Sequence, residues 1–450
     1  MGKIFLFTFA FMKKLYIETY GCQMNFADSE VVASILKDIF ALTSDVNEAD
    51  LILINTCSIR DKAEQRIHKR LQELEALKKK KHGLQVGLLG CMAERMKEEL
   101  LETEPVLDFI AGPDAYRSLP QLIAEARQSG PQFNVMLSEE ETYEDILPVH
   151  YDVNGVSAFV SIMRGCNNFC SYCVVPYTRG RERSRSPRTI LAEVEQLLRD
   201  GFKEVTLLGQ NVNSYHWNEG GEEMTFAKLM ATVAGMSPDL RVRFATSHPK
   251  DISDELIETI ARYDNICKYI HLPVQSGSDA VLKRMNRSYT RDYYMQRVWR
   301  IKSLMPDCAI STDIIAGFCG ETEEDHQQTL DIMREVGYEY AYMFKYSERG
   351  GTLSAKRYAD DVPDEVKTRR LEEIIALQGE LSAISNRRDI GKKFQVLVEG
   401  ASKRSKDQLY GRNSQNKVVI FPRGQVQPGD YVEVVVNDCT PATLFGEVIE

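Results

Sequence analysis

From Lys13 to about residue 130 the hydrophobic pattern alternates between two kinds of segment. Short apolar runs, KLYIETYG, ADLILINT and LQVGLLG, are separated by stretches such as SEVVASILKDIF and KAEQRIHKRLQELEALKKKK, whose apolar positions recur at helical spacing. Strands alternating with helices predict an open, mostly parallel α/β sheet over residues 13–130. Each of the three strand runs ends at a cysteine: Cys22, Cys57 and Cys91.

Residues 131–152 are acidic and rich in turn formers, which marks a linker. A second α/β region follows over residues 153–384. Six strand-like runs, AFVSIMR, EVTLLG, RVRFAT, KYIHLP, AISTDIIA and YEYAYMFKY, are separated by helical patterns. In one of these helices Ser186 is a candidate cap, Pro187 occupies the first turn, and Ile190, Leu191, Val194, Leu197 and Leu198 form one apolar face. Repeated βα units with right-handed crossovers predict a partial (βα)6 barrel.

A long amphipathic helix over residues 364–390 runs into a third region, residues 385–450, whose remainder is an all-β tail. Its runs KFQVLVEG, QLYGRN, KVVIF, YVEVVV and ATLFGEV, broken by turn signals, predict a small five-stranded barrel.

Composition changes the picture in three respects. A chain of 450 residues exceeds what one core organises, in keeping with the three regions. A net charge of −10 argues against a surface wholly wrapped by nucleic acid, so any RNA groove must be local. Ten cysteines without a secretory signal suit a reducing compartment and metal or redox use, with the cytoplasm as default. The apolar start MGKIFLFTFAFM is too short to span a bilayer and reads as an extra strand or as an upstream start before Met12.

The chemistry is carried by RGCNNFCSYC, which places Cys166, Cys170 and Cys173 within eight residues and supplies no fourth cysteine. Three thiolates ligate three irons of a 4Fe-4S cube and leave the fourth open to another ligand. A structural zinc loop is the plain alternative, but zinc wants four closed ligands and no nearby His or Cys completes the set. Cys22, Cys57 and Cys91 lie 35 and 34 residues apart, too far for a local loop. The C-terminal ends of parallel strands share one crevice, however, where three thiolates could hold a second cube. Cys267, Cys308, Cys319 and Cys439 show no common spacing and read as core or incidental thiols.

CxxxCxxC after the first strand of a βα barrel resembles the radical S-adenosylmethionine (SAM) superfamily. The motifs ETYGCQMN, INTCSIR, GLLGCMAER, RGCNNFCSYCVVPYTRGRERSR, LLGQNVNSY, HLPVQSGSD, MNRSYT, TDIIAGF and YSERGGT resemble, more narrowly, the methylthiotransferase family within it. The likeness runs from about Met12 to the end, where VLVEGASKRSKDQLYGRN is similar to a TRAM barrel. It implies insertion of sulfur and a methyl group at carbon 2 of N(6)-isopentenyladenosine next to a tRNA anticodon. Cys166, Cys170 and Cys173 would hold the 4Fe-4S cluster that cleaves SAM, and Cys22, Cys57 and Cys91 an auxiliary 4Fe-4S cluster that presents sulfur. SAM would serve as both methyl donor and radical source. Sister enzymes that modify a ribosomal-protein aspartate or a threonylcarbamoyl adenosine are the alternative substrates. A non-catalytic iron-sulfur RNA-binding protein is the alternative class.

The resemblance places SAM contacts at Tyr172, at Gln210 and Asn211 after the second barrel strand, at Thr246 and Ser247 after the third, and at Gln275 after the fourth. GFCGE at 317–321 departs from the family's GFPGE, and a looser loop is expected around Cys319. RGRERSRSPR, with Arg179, Arg181, Arg183 and Arg185, suits phosphate contacts. In the tail Lys403, Arg404, Lys406 and Arg412 surround Tyr410 and suit RNA binding by a small barrel. The expected partners are an isopentenylated tRNA and an electron donor such as a flavodoxin or ferredoxin. No membrane partner is expected, and the chain is expected to be a monomer.

Overall fold

The computed structural model describes residues 12–57, 61–150 and 155–449, so the reading of the first eleven residues lies outside the described ones. The chain forms two compact units, Met1–Tyr151 with Tyr177–Gly180, and Asp152–Pro176 with Arg181–Glu450.

In the first unit the apolar runs become β1 (Lys13–Tyr20), β3 (Leu51–Thr56) and β4 (Gln85–Gly90). β2 (Phe40–Leu42), β5 (Phe109–Ala111) and β6 (Gln132–Asn134) complete a parallel sheet of order β2-β1-β3-β4-β5-β6. Every residue of β3 and β4 is buried, as expected of parallel strands covered on both faces. Leu51 and Leu53 join one core with Leu36, Phe109 and Tyr116, while Ile52 and Ile54 join the opposite core with Leu71, Leu88 and Met92. The alternation of the pleat thus builds two cores from one apolar run.

The expected linker is partly structure. Its residues Gln132–Asn134 are the edge strand β6, and Tyr143 is buried, stacked on Tyr116 with ring centroids 5.7 Å apart. The Tyr143 hydroxyl accepts from the Tyr116 backbone N–H and donates to the Pro113 carbonyl, each at 3.0 Å. An aromatic ring with both hydrogen-bonding roles satisfied anchors a segment whose composition reads as solvent-exposed.

In the second unit all six anticipated strands form. They are β7 (Ser157–Ser161) and the segments Glu204–Leu208, Arg241–Phe244, Tyr269–His271, Ala309–Ala316 and Tyr340–Lys345. They make two three-stranded parallel sheets, linked by a bridge between Val242 and Ile266. The helix Pro187–Arg199 buries Ile190, Val194 and Leu197 as its pattern requires, but the Ser186 side chain makes no capping hydrogen bond. A hairpin not anticipated from the pattern, His216–Glu219 with Glu222–Thr225, turns on Gly220 and Gly221, both at positive φ.

The helix Asp364–Arg387 leads to a closed barrel of Lys393–Ser402, Ser405–Arg412, Val418–Pro422, Tyr431–Cys439 and Leu444–Val448. This barrel seats against the beginnings of the central strands. Glu204, first residue of its strand, accepts from Arg243 at 2.7 Å and from Arg412 at 3.0 Å. Arg243 also reaches the Asn413 carbonyl at 2.8 Å, and the Tyr431 hydroxyl reaches the Lys203 and Asp239 carbonyls.

Candidate iron-sulfur and SAM sites

Tyr20, Thr56 and Gly90 are in register across β1, β3 and β4, and the three cysteines are the first or second residue beyond them. Because these strands are adjacent, at about 4.8 Å per step, Cys22, Cys57 and Cys91 are brought to one edge of the sheet. Cys22 caps α1 (Gln23–Leu36), and Cys91 opens α2 (Cys91–Met96).

Beneath them lies an amide pair that the sequence reading missed. The Asn25 amide N–H donates to Asn55 Oδ1 and to the Thr56 carbonyl, both at 3.1 Å, while Asn55 donates to the Asn25 carbonyl and to Ser29 Oγ, both at 2.9 Å. Both asparagines are fully buried, so each bond is made in a low dielectric and fixes the strand ends. Gly21 and Gly90 let the chain pass this pair. A Cβ on Gly21 would lie 2.4 Å from Asn25 Oδ1, and one on Gly90 2.5 Å from Asn55 Oδ1. The signal was present in ETYGCQMN and INTCSIR, each of which carries an asparagine within three residues of its cysteine.

The thiols are not equivalent. A hydrogen bond with Cys57 pulls the Cys22 thiol down to about 6, against desolvation and with help from Arg179. Burial pushes Cys91 up, with Arg179 opposing. Arg179 is buried and donates from Nε to Cys91 Sγ at 3.3 Å and from Nη2 to Asp28 Oδ2 at 2.7 Å.

In the second unit the loop holding Cys166, Cys170 and Cys173 is tied to residues 284–287. Ser171 donates from its N–H to the Met285 carbonyl and from its hydroxyl to the Arg284 carbonyl, both at 2.8 Å. The Asn286 amide donates to the Phe169 carbonyl at 2.8 Å, and Arg287 donates to Cys170 Sγ at 3.2 Å. The MNR of MNRSYT is therefore the cradle of the cysteine loop, a role its sequence did not reveal. Burial raises the Cys166 and Cys173 thiols. A metal ligand must be a thiolate, so loading these sites releases protons.

Among the described residues the one group of three or more His, Cys, Asp or Glu side chains with ligand atoms all within 4.8 Å of one another is Glu323, His326 and Glu373. Arg369 pairs with both of those carboxylates, so that group is an ion-pair network. Neither cysteine trio converges on a single ion as a structural zinc site does. A larger cluster fits the donor sets better.

The residues expected at SAM gather at the C-terminal ends of the barrel strands. Gln210 accepts from the Gly165 N–H beside Cys166, and its Nε2 has no partner. Asn211 donates to Asp251 at 2.7 Å and leaves Oδ1 without a partner, as is Ser247 Oγ. Asn213, which the sequence reading passed over in LLGQNVNSY, leaves both amide atoms buried and unpartnered. Such orphans are rare in folded proteins and fit the amino, carboxylate and ribose groups of a polar ligand. Seven non-glycine residues have positive φ among the described ones, and four of them, Phe169, Thr246, Gln275 and Asn286, lie on the cysteine loop, its cradle or these strand ends. Strained backbone of this kind concentrates at functional sites. Tyr172 is half-buried, edge-on to Phe318 at 6.4 Å, and burial raises its hydroxyl pKa. His248 is pushed down to about 2 by desolvation and by Arg287 and Lys250, which makes it a neutral imidazole.

The loop around Cys319 is tied by backbone hydrogen bonds to carboxylates. Cys319 is buried with Phe318 and Tyr346, while Gly317 N–H donates to Glu321 at 2.9 Å and Gly320 N–H to Asp361 at 2.6 Å.

Four arginines expected at RNA are placed otherwise. Arg179 is committed to Asp28 and Cys91. Arg183 is buried, and Arg185 is buried against Glu193, Thr189 and the Ser161 carbonyl. Arg412 is held by Glu204, Glu399 and Asn416. The guanidiniums of Arg179, Arg185 and Arg412, fixed to acceptors within the protein, are not offered to phosphate. Arg181 is exposed, 5.3 Å over the Phe169 ring, and Lys403, Arg404 and Lys406 are exposed around the turn of a barrel hairpin.

Three family models match in succession, "Uncharacterized protein family UPF0004" over residues 14–112, the "Radical SAM superfamily" over 160–333 and the "TRAM domain" over 387–449. The fold is shared with the radical SAM methyltransferase TsrM of Kitasatospora setae, at a TM-score of 0.55 and 12% identity over 74% of this chain and 72% of that one. It is shared also with the cobalamin-dependent enzyme OxsB, at 0.54 and 13% over 82% and 56%. Fold and site together define a radical SAM enzyme, which works with SAM and a 4Fe-4S cluster.

A relative in Parabacteroides distasonis named tRNA-2-methylthio-N(6)-dimethylallyladenosine synthase is 56% identical over 439 residues, 97% of this chain and 96% of its own. One of the same name in Porphyromonas gingivalis is 57% identical over 442 residues, 97% and 95%. The chain belongs to this family of tRNA methylthiotransferases. Among the described residues no helix is long and apolar enough to cross a membrane.

Proposed function

We propose that the chain inserts sulfur and a methyl group at carbon 2 of N(6)-isopentenyladenosine next to the anticodon of a tRNA, using two 4Fe-4S clusters. The observation that carries this reading is the pair of three-cysteine sets, one gathered at the C-terminal ends of β1, β3 and β4 and the other on the single loop that follows β7, each one ligand short of a closed cluster. Cys166, Cys170 and Cys173 hold one cluster, and Cys22, Cys57 and Cys91 the other. When bound, the clusters and SAM supply the electron, the carbon radical, the sulfur and the methyl group, which side chains cannot supply.

The residues of the chain bind and orient. Gln210, Asn211, Ser247 and Asn213 offer unpartnered polar atoms that would hold SAM, and the strained turns at Thr246 and Gln275 lie at the strand ends that would receive it. Tyr172 packs beside its adenine. Arg287 and Asn286 tie down the cysteine loop, so that its thiolates would hold the cluster in one geometry. Arg181, Lys403, Arg404 and Lys406 contact tRNA phosphates, and a small donor of flavodoxin or ferredoxin type delivers electrons to a monomer in the cytoplasm.

Nucleoside mass spectrometry after anaerobic reaction of the reconstituted protein with SAM, reductant and isopentenylated tRNA tests this. A methylthio gain on isopentenyladenosine is expected. 5′-Deoxyadenosine without that gain overturns the substrate and points to the sister enzymes.

A further inference from the structure

Each cysteine set is met by one arginine, buried at Arg179 and half-buried at Arg287, and the two arginines carry different company. Arg287 donates to Cys170 Sγ at 3.2 Å, to the Tyr289 hydroxyl and to the Pro273 carbonyl, and among the described residues no carboxylate pairs with it. Arg179 donates to Cys91 Sγ at 3.3 Å and in the same plane grips the buried carboxylate of Asp28, which also accepts from the Tyr116 hydroxyl at 3.5 Å. Arg179 and Asp28 are 4% and 0% exposed at the side chain, so water does not screen the pair.

The reduction potential of an iron-sulfur cluster follows its net charge and the hydrogen bonds to its sulfurs. A guanidinium against a ligand sulfur favours the more negative, reduced state. A carboxylate behind the guanidinium withdraws that help while keeping the N–H···S bond that orients the sulfur.

We propose that Arg179 and Asp28 are a positioning pair for the cluster at Cys22, Cys57 and Cys91, in which Arg179 fixes Cys91 and Asp28 offsets its charge to keep that cluster hard to reduce. The consequence is a division of labour. An electron entering the enzyme is favoured at the cluster beside Arg287, where SAM is cleaved, and disfavoured at the sulfur-presenting one. The inference rests on the cysteine assignment proposed above.

The test is an EPR-monitored redox titration, with dithionite as reductant, of the reconstituted full chain and of Asp28→Asn, Arg179→Gln and the double variant. Asp28→Asn removes a negative charge and is expected to raise the midpoint potential of the cluster at Cys91, Arg179→Gln to lower it, and the double variant to return it toward the native value. A merely structural pair would not give shifts of opposite sign that cancel. Shifts of one sign, no shift with iron retained, or iron lost from the single variants and not regained in the double overturns the pair. Failure of the cysteine assignment shows separately. Cys57→Ala would then carry as much iron as the native chain, where a loss of about half, one cluster of two, is expected.

Discussion

Arg287 reaches across 117 positions of sequence to donate a hydrogen bond to the sulfur of Cys170. Charge-assisted bonds of this kind contribute about 1.5–3 kcal/mol. Arg287→Gln keeps a donor but loses the charge and the reach, so SAM cleavage is expected to slow by roughly 10–100-fold. 5′-Deoxyadenosine formation under single turnover measures it, and an unchanged rate would remove Arg287 from the site.

Glu204 seats the C-terminal barrel. Burial alone would raise its pKa, but Arg243 and Arg412 outweigh burial and bring it below the ordinary carboxylate value. Glu204→Ala leaves the buried Arg243 without a carboxylate and Arg412 with Glu399 alone, and is expected to cost about 3–5 kcal/mol. Because the folded pKa is depressed, this stability is present above the unfolded value of about 4.3 and is lost as pH falls below it. Chemical denaturation of native and variant at neutral and acid pH checks both the size and the sign.

Glu94 behaves in the opposite sense. Its side chain is buried, Oε2 lacks a partner, and desolvation lifts it to about 7 despite Lys97. A raised carboxylate contributes stability that is complete below the unfolded pKa and is lost as pH climbs through the folded one. Between about pH 5 and 7 the native protein should lose roughly 1–2 kcal/mol relative to Glu94→Gln, after allowance for partial solvent screening. Parallel thermal melts across that range decide it.

Replacing Lys403, Arg404 and Lys406 together by Ala should weaken tRNA binding and reduce the salt dependence by about two to three counterions, with SAM cleavage in the absence of tRNA unchanged. Filter binding across a salt series reads both quantities. Arg183→Ala, by contrast, should leave the salt slope as it is.

How far the sequence could be read depended on whether its signal was local. Strand periodicity located all six barrel strands and the strand ends carrying Cys22, Cys57 and Cys91, because a strand that buries one face or both carries a short apolar run whatever its distant partners. Arginine-rich RGRERSR could not be sorted the same way. A guanidinium bound for phosphate and one bound for a buried carboxylate have identical local surroundings, and only Asp28 and Glu193 told Arg179 and Arg185 apart from Arg181. Asn25 and Asn55 were missed for a related reason: their pairing spans 30 positions and leaves no period behind.

The seating of the C-terminal barrel at the starts of the central strands, with Gln210, Ser247 and Gln275 at their far ends, gives the second unit a built-in gauge. A five-residue strand such as Glu204–Leu208 is about 17 Å long, more than twice the length of a nucleobase. A free nucleoside placed at one end has nothing to say to the other. A tRNA touching both ends would span the thickness of the barrel, a reach that a single nucleoside lacks.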